Sequence, residues 1–454
     1  MEKNNKLIRY SIIQFWVLFS SLVLFIYLGL SGDVSQLGFN GLFTIFLSLN
    51  IVYNVKKLKL DTSKALFWVT VSFVLYHVIP LLLYNFVNII EYMDTEKKIS
   101  LYKSLDSNIL TKTFLVSTIG FQSTVLTYIF TKINYRANYY KYTYNIYIVY
   151  ISIAFLIIGT ILRKYISITS LSSIEAVTFL IISIFIYSNS NLSLNQKKYL
   201  AFFTFLISLA LFASNTTGRR DLIKLVIVFS VLWSIYIKPF KLAYVVTGGM
   251  FSIFIMISLV LYRTTFSITH VWSRILLMFE NTDYLFLMIS STLDFMPGHN
   301  NYEYILGNVP DNSPYLYGSS LMKIFYVIIP RQLWLDKPSG VQELIVQQHD
   351  NLFVGGTSQT TTMIGEFYWN FGLIGVVAGM AFLGYVCKRL DFGNKYKSKG
   401  TFRFMLRVTL ISWFIEFFRG GMSTTLVINS LQIVVPVIVI LLSYNLIKRL
   451  SSQY

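Results

Sequence analysis

Twelve apolar runs set the frame for this chain: 10–30, 37–55, 65–87, 113–131, 143–162, 173–188, 199–215, 222–238, 242–262, 371–388, 402–418 and 424–447. A helix rises about 1.5 Å per residue, so runs of this length match a hydrocarbon core roughly 30 Å thick. Backbone inside lipid must satisfy its own N–H and C=O groups, and continuous apolar runs of this length do so as helices. The prediction is an all-α fold, a polytopic integral membrane helical bundle of about twelve transmembrane helices. Residues 1–262 hold helices 1–9, 263–370 form one large extracytoplasmic loop containing short helices, and 371–454 hold helices 10–12. The composition agrees: 55% of residues are hydrophobic and only 13% charged, where a soluble chain has about a quarter charged. Mean hydropathy is +0.61. The single cysteine, Cys387, excludes an internal disulfide and reads as a small core residue.

A net charge of +18 would suggest nucleic acid in a soluble chain. Here much of the charge sits between apolar runs, where Lys and Arg set membrane orientation. Lys56, Lys57, Lys59 and Lys64, then Arg136, then the basic block 388–403 fall in alternate segments, which carry the larger share of Lys and Arg. Those segments are placed inside, which puts both termini in the cytoplasm. Residues 1–9 precede an apolar run without a small-residue cleavage site, so the first helix is expected to stay uncleaved.

This orientation puts 263–370 on the outer face, in a connection far longer than loops usually are, and long ordered loops tend to be functional. Within it, 271–289 and 319–329 have helical apolar spacing, suggesting short helices on or in the outer leaflet. The interval 325–371 crowds polar side chains, Gly, Pro and both charge signs beside a membrane, which marks function more often than packing.

Cations placed outside run against the orientation trend. Arg219 and Arg220 occupy the turn NTTGRRD, with Lys224 just inside the next span; Arg331 and Lys337 flank LWLD; Arg419 lies in FRGGMS. A guanidinium suits two-pronged recognition of phosphate, and snorkelling at the interface is the plainer alternative for any one of them. Helical spacing puts Thr362, Glu366 and Asn370 on one face, where Glu366 faces a cavity or serves a helix N-terminus. His349 in QQHDN is a candidate proton carrier, and His77, His270 and His299 have weaker contexts. Gly355 and Gly356 permit a tight turn, and the Ser and Thr residues that follow supply hydroxyls for a sugar or phosphate; Thr361, Thr362 and Asn370 are the candidates should the ligand be a glycan. Arg407 and Glu416 lie within a span and read equally as structural ion pairs. No nucleotide-binding, metalloprotease or serine-hydrolase motif is present, nor a clustered Cys/His set, so no metal and no cofactor is expected. Group transfer on the outer face needs a donor already activated in the membrane.

Together TGRRD, IPRQLWLDKPS, GGTSQTTTMIGEFYWNFG and FRGGMS resemble the Wzy-type oligosaccharide repeat unit polymerases of O-antigen, capsule and enterobacterial common antigen. The resemblance covers most of the chain in topology and rests on these four patches in sequence. It implies a GT-C-like glycosyltransferase of the bacterial cytoplasmic (inner) membrane. Donor and acceptor would be undecaprenyl-diphosphate-linked oligosaccharides, with the bilayer, a chain-length regulator and a flippase as partners and no nucleic acid. It implies diphosphate binding by Arg219 or Arg220, Arg331 and Arg419, with Lys337 nearby, and proton handling by Glu366 or His349.

Three other readings stand beside it, one of them a purely structural membrane scaffold, for which clustered outer arginines would have no purpose. An O-antigen ligase shares the chemistry but differs in acceptor; IGEFYWNFG favours the polymerase. A lipid-linked oligosaccharide flippase would show internal repeats and a midplane site, whereas polarity here gathers on the outer face.

Overall fold

The structure, a computed structural model, describes residues 2–31, 37–81, 92–94, 97–99, 107–133, 144–165, 174–214, 219–265, 268–280, 295–326, 329, 333–334, 339–349, 360–395 and 402–451. Helices dominate. In chain order they are α1 (Glu2–Ser31), α2 (Leu37–Lys57), α3 (Ala65–Phe73), α4 (Ser107–Phe130), α5 (Tyr147–Tyr165), α6 (Ile174–Ser188), α7 (Leu194–Ser214), α8 (Arg219–Tyr236) and α9 (Leu242–Thr265). Then come α10 (Ile268–Glu280), α11 (Phe295–Asn308), α12 (Lys323–Tyr326), α13 (Val341–His349), α14 (Met363–Lys395), α15 (Phe402–Ser412), α16 (Phe414–Gly420), α17 (Met422–Asn429) and α18 (Val435–Ser451). A π-helical turn, Val74–Val78, extends α3, and another, Ser430–Val434, joins α17 to α18. The one departure from helix among the described elements is a small antiparallel hairpin, β1 (Tyr92–Asp94) with β2 (Lys97–Ile99), in which Tyr92 faces Ile99.

Helix covers most of the described part of each apolar run; the run 143–162 becomes helical only at Tyr147, and 222–238 leaves helix after Tyr236. Three helical stretches, Asn108–Phe130, Met363–Asp391 and Thr425–Leu450, are long and apolar enough to cross a membrane, and five shorter apolar helices accompany them. Large hydrophobics point outward along several helices, among them Trp16, Ile157, Phe203 and Phe251, as expected of faces meeting lipid.

Lipid is as apolar as leucine, so helices in it associate through close packing and internal polar bonds. The central pair, α4 and α14, uses both. A Cβ at Gly384 would sit 2.2 Å from the Thr124 carbonyl oxygen, so only glycine lets the two backbones meet there. The Thr124 hydroxyl donates to the Met380 carbonyl at 2.9 Å. Near the C-terminal end of α14, Asp391 accepts from the backbone N–H of Ala65, the first residue of α3, and from the Tyr128 hydroxyl at 2.8 Å. A buried ladder ties α1 and α2 to α4: Tyr10 donates to Asn54 at 2.5 Å, Asn54 to Asn50 at 2.8 Å, and Gln122 to Asn50 at 3.1 Å.

The long loop departs from its expected layout. The helix expected over 271–289 is α10, starting at Ile268 and running to Glu280, beyond which 281–289 lies outside the described residues. Of 319–329 only Lys323–Tyr326 is helical; Gly318, with φ of +88°, turns the chain just before it. Two helices without an obvious apolar period, α11 and α13, were not anticipated. The tenth span was expected to begin at 371, whereas α14 starts at Met363 and breaks at Phe371 and Gly372, the latter with φ of 61°.

Candidate functional site

Glu366 lies on the first turns of α14, 1% exposed. Its Oε2 accepts the backbone N–H groups of Met422 at 2.5 Å and Ser423 at 3.2 Å. Its Oε1 accepts the hydroxyls of Ser320 at 3.2 Å and of Ser423. Burying a carboxylate is costly unless its oxygens are fully engaged. Here they are, and the charge meets the unsatisfied N–H groups that open α17. Gly421, with φ of +81°, makes the approach possible, because a Cβ there would lie 2.7 Å from Oε2.

The other members of the predicted stripe hold backbone. The Thr362 hydroxyl accepts the Gly365 N–H at 3.1 Å, capping α14. Thr361, Thr362 and Asn370 are wholly buried. Asn370 donates to the Glu366 carbonyl at 2.7 Å and the Ser320 hydroxyl at 2.8 Å, and accepts the Gly318 N–H at 2.9 Å. The break at Phe371 and Gly372 frees helix-end carbonyls, and a strap over 314–320 satisfies them: Leu316 N–H bonds to Trp369 O at 3.0 Å and Tyr317 N–H to Asn370 O at 3.1 Å. Tyr317 takes φ of 45° to do so, a left-handed conformation that costs a non-glycine residue about 1–2 kcal/mol. On this strap burial first, then the neighbouring Tyr317 and Asp311, push the Tyr315 hydroxyl up from its ordinary pKa.

Arg419 is half-buried near the end of α16, one turn ahead of the Glu366-bound N–H groups. The following carbonyl, of Gly420, accepts from the Gln342 side chain on α13. One turn back on α16, Glu416 lies 3.4 Å from the Lys224 Nζ of α8, which also donates to Gln432 Oε1 at 2.9 Å. Lys224 is 1% exposed. The Glu416 reading as a buried ion pair therefore acquires a partner that the sequence did not reveal.

A second buried set lies beside this one. His77 Nδ1 is 3.1 Å from the Ser117 hydroxyl, which donates to Tyr302 at 3.2 Å. His299 Nδ1 is 3.2 Å from the Tyr76 carbonyl and Nε2 is 3.2 Å from Glu303. The preceding Gly298 abuts Arg419: a Cβ there would lie 3.6 Å from the Arg419 carbonyl oxygen. Two histidines with weak sequence contexts thus sit directly behind the FRGGMS turn. A glycine before His299 was the only local hint.

Of the predicted site, Glu366, Thr361, Thr362, Asn370 and Arg419 come together, joined by Ser320, Met422, Ser423 and Gln342. Arg219 and Arg220 open α8 and His349 closes α13; their side chains, with Arg331 and Lys337 entirely, lie outside the described residues. Among the described residues no group of three or more His, Cys, Asp or Glu is arranged to hold a metal. No family model matches the chain, and neither a curated protein nor a solved structure matches it.

Proposed function

We propose that this chain is a Wzy-type polymerase, a GT-C-like glycosyltransferase of the bacterial cytoplasmic membrane with about twelve spans and both termini inside. It extends O-antigen or capsular polysaccharide on the outer face. The growing glycan leaves undecaprenyl diphosphate and joins a hydroxyl of a fresh lipid-linked repeat unit. The glycosidic C–O bond to the diphosphate breaks, a C–O bond to the acceptor forms, and the acceptor proton is lost. The observation that carries this reading is the union of GEFYWNFG and FRGGMS, far apart in sequence, through the Glu366 carboxylate.

In this mechanism the departing diphosphate gathers negative charge, and Arg419 meets it with Arg331, Lys337 and one of Arg219 or Arg220. Glu366, its acceptor sites already taken, holds the Arg419 turn in register rather than moving the proton. That leaves His349 to receive it. His349 ends the short helix whose Gln342 is bonded to the carbonyl after Arg419, about 10 Å away along the axis. Thr361, Thr362 and Asn370, being buried, serve the glycan by shaping the strap and the helix start instead of touching it.

The test is direct. Purified protein in bilayer discs is given the lipid-linked repeat unit and the product is run on a gel. A ladder of lengths supports the polymerase; unaltered substrate with folded protein overturns it, and transfer of one preformed chain to lipid A core would make the protein a ligase.

A further inference from the structure

The strap ends in a cluster of rings that the mechanism above does not use. Tyr317 is 76% exposed and Phe371 45% exposed. Tyr315 and Tyr317 meet edge to face, with centroids 6.1 Å apart. Two glycines in left-handed conformation bring the rings against backbone. A Cβ at Gly318 would lie 3.1 Å from Cζ of Phe371, and one at Gly372 would lie 3.0 Å from the Tyr315 hydroxyl.

Exposed aromatics are ordinary at a membrane interface, and such a role would need no special backbone. This one has three. Tyr317 is held at positive φ by bonds from its own N–H and the next to Asn370, and a strained residue locked by its surroundings is more often functional than accidental. Asp311 is exposed four residues before Tyr315 on the segment that leads into the strap, and its charge is among the causes that push the Tyr315 hydroxyl up, so the segment carries a carboxylate along with the rings. Three residues after Tyr317, Ser320 bonds to Glu366, tying the rings to the Arg419 turn.

We infer that Tyr315, Tyr317 and Phe371 form a stacking platform for one pyranose ring of a saccharide, with Asp311 accepting from its hydroxyls. A pyranose has a C–H face, slightly positive, that suits the negative face of an aromatic ring, and an edge of hydroxyls that suits a carboxylate acceptor. Aliphatic lipid has the first and lacks the second. The site deepens the polymerase reading and rests on it for the identity of the sugar, as a glycan subsite next to the reacting centre.

The probe is the free oligosaccharide released by mild acid from the lipid-linked repeat unit, titrated into full-length protein in bilayer discs and followed by saturation-transfer NMR. Wild type and Tyr317→Phe should bind alike. Tyr317→Ala should raise Kd about tenfold or more, and Asp311→Asn should weaken binding independently. Tyr317 is mostly exposed, so its truncation leaves the fold intact, and unchanged elution as a monodisperse peak checks this. No binding by wild type, or an unchanged Kd in Tyr317→Ala, overturns the platform and leaves the rings as interface anchors. The two readings fail separately. Sugar binding that depends on Tyr317 without any ladder sinks the polymerase and keeps the platform; a ladder indifferent to Tyr317 does the reverse.

Discussion

Glu366 accepts the backbone N–H of Met422 at 2.5 Å, so a carboxylate on α14 caps the start of α17. The same helix repeats the device near its other end, where Asp391 accepts the N–H that opens α3. A helix whose first N–H groups are buried in protein has no water to satisfy them. Here α14 supplies the acceptors for two such helices. It thereby fixes the FRGGMS turn, and Arg419 with it, relative to the packed pair α4 and α14.

Glu366→Gln should therefore act on stability before it acts on chemistry. The amide retains one acceptor oxygen and turns an N–H₂ toward groups that already donate. Losing charge-assisted bonds while burying unmatched donors costs about 2–3 kcal/mol. The variant should unfold at a lower temperature in detergent and lose ladder formation in step. An unchanged unfolding temperature with lost activity would move Glu366 from holding the turn to the chemical step.

The Lys224 and Glu416 pair should respond as buried ion pairs do. Lys224→Met alone leaves a carboxylate without its cation, at a cost of about 3–5 kcal/mol, whereas Lys224→Met with Glu416→Leu should regain most of the loss. A double-mutant cycle on unfolding free energy reads the coupling directly. Additive losses would show that the two residues are held by other neighbours.

The sequence made the bundle legible and left the site half hidden, for physical reasons. Apolar runs announce helices because lipid enforces both length and composition, and the described part of each run is mostly helix. The stripe Thr362, Glu366, Asn370 was legible from helical spacing. What it faces was not. Ser320 and Ser423 look like any loop serines, and the partners of Glu366 at Met422 and Ser423 are mostly backbone, which carries no side-chain signature. Lys224 and Glu416 could be seen as buried charges, but their pairing depends on how α8 meets α16. The helix α11 was missed because FMPGHNNYEY has Pro and Gly near its start and little apolar period, so tertiary packing decided it.

Gly384 provides the test of close approach. Any side chain there drives into the Thr124 carbonyl, 2.2 Å from an ideal Cβ, and must pry α4 from α14. Gly384→Ala should cost at least about 1–3 kcal/mol and reduce the yield of monodisperse protein. Gly248 and Gly249 are the controls, because a Cβ at either meets nothing within 4 Å. Alanine there should be neutral or stabilising by about 0.4–1 kcal/mol. Equal behaviour at all three positions would refute the contact between α4 and α14.

Arg419→Lys separates charge from shape. The backbone of Arg419 is fixed by its neighbours: the Gly420 carbonyl is bonded to Gln342 and the Gly421 N–H to the Phe417 carbonyl at 3.0 Å. The substitution should therefore keep the fold and the unfolding temperature. Lysine keeps the positive charge but has no planar fork for two phosphate oxygens at once. If Arg419 meets the departing diphosphate, ladder formation should fall about 100-fold, the loss typical when one group that stabilises developing charge is removed. The loss should lie in turnover more than in apparent affinity for the lipid-linked unit, because the charge grows only as the bond breaks. A variant that polymerises at the wild-type rate would take Arg419 out of the reaction.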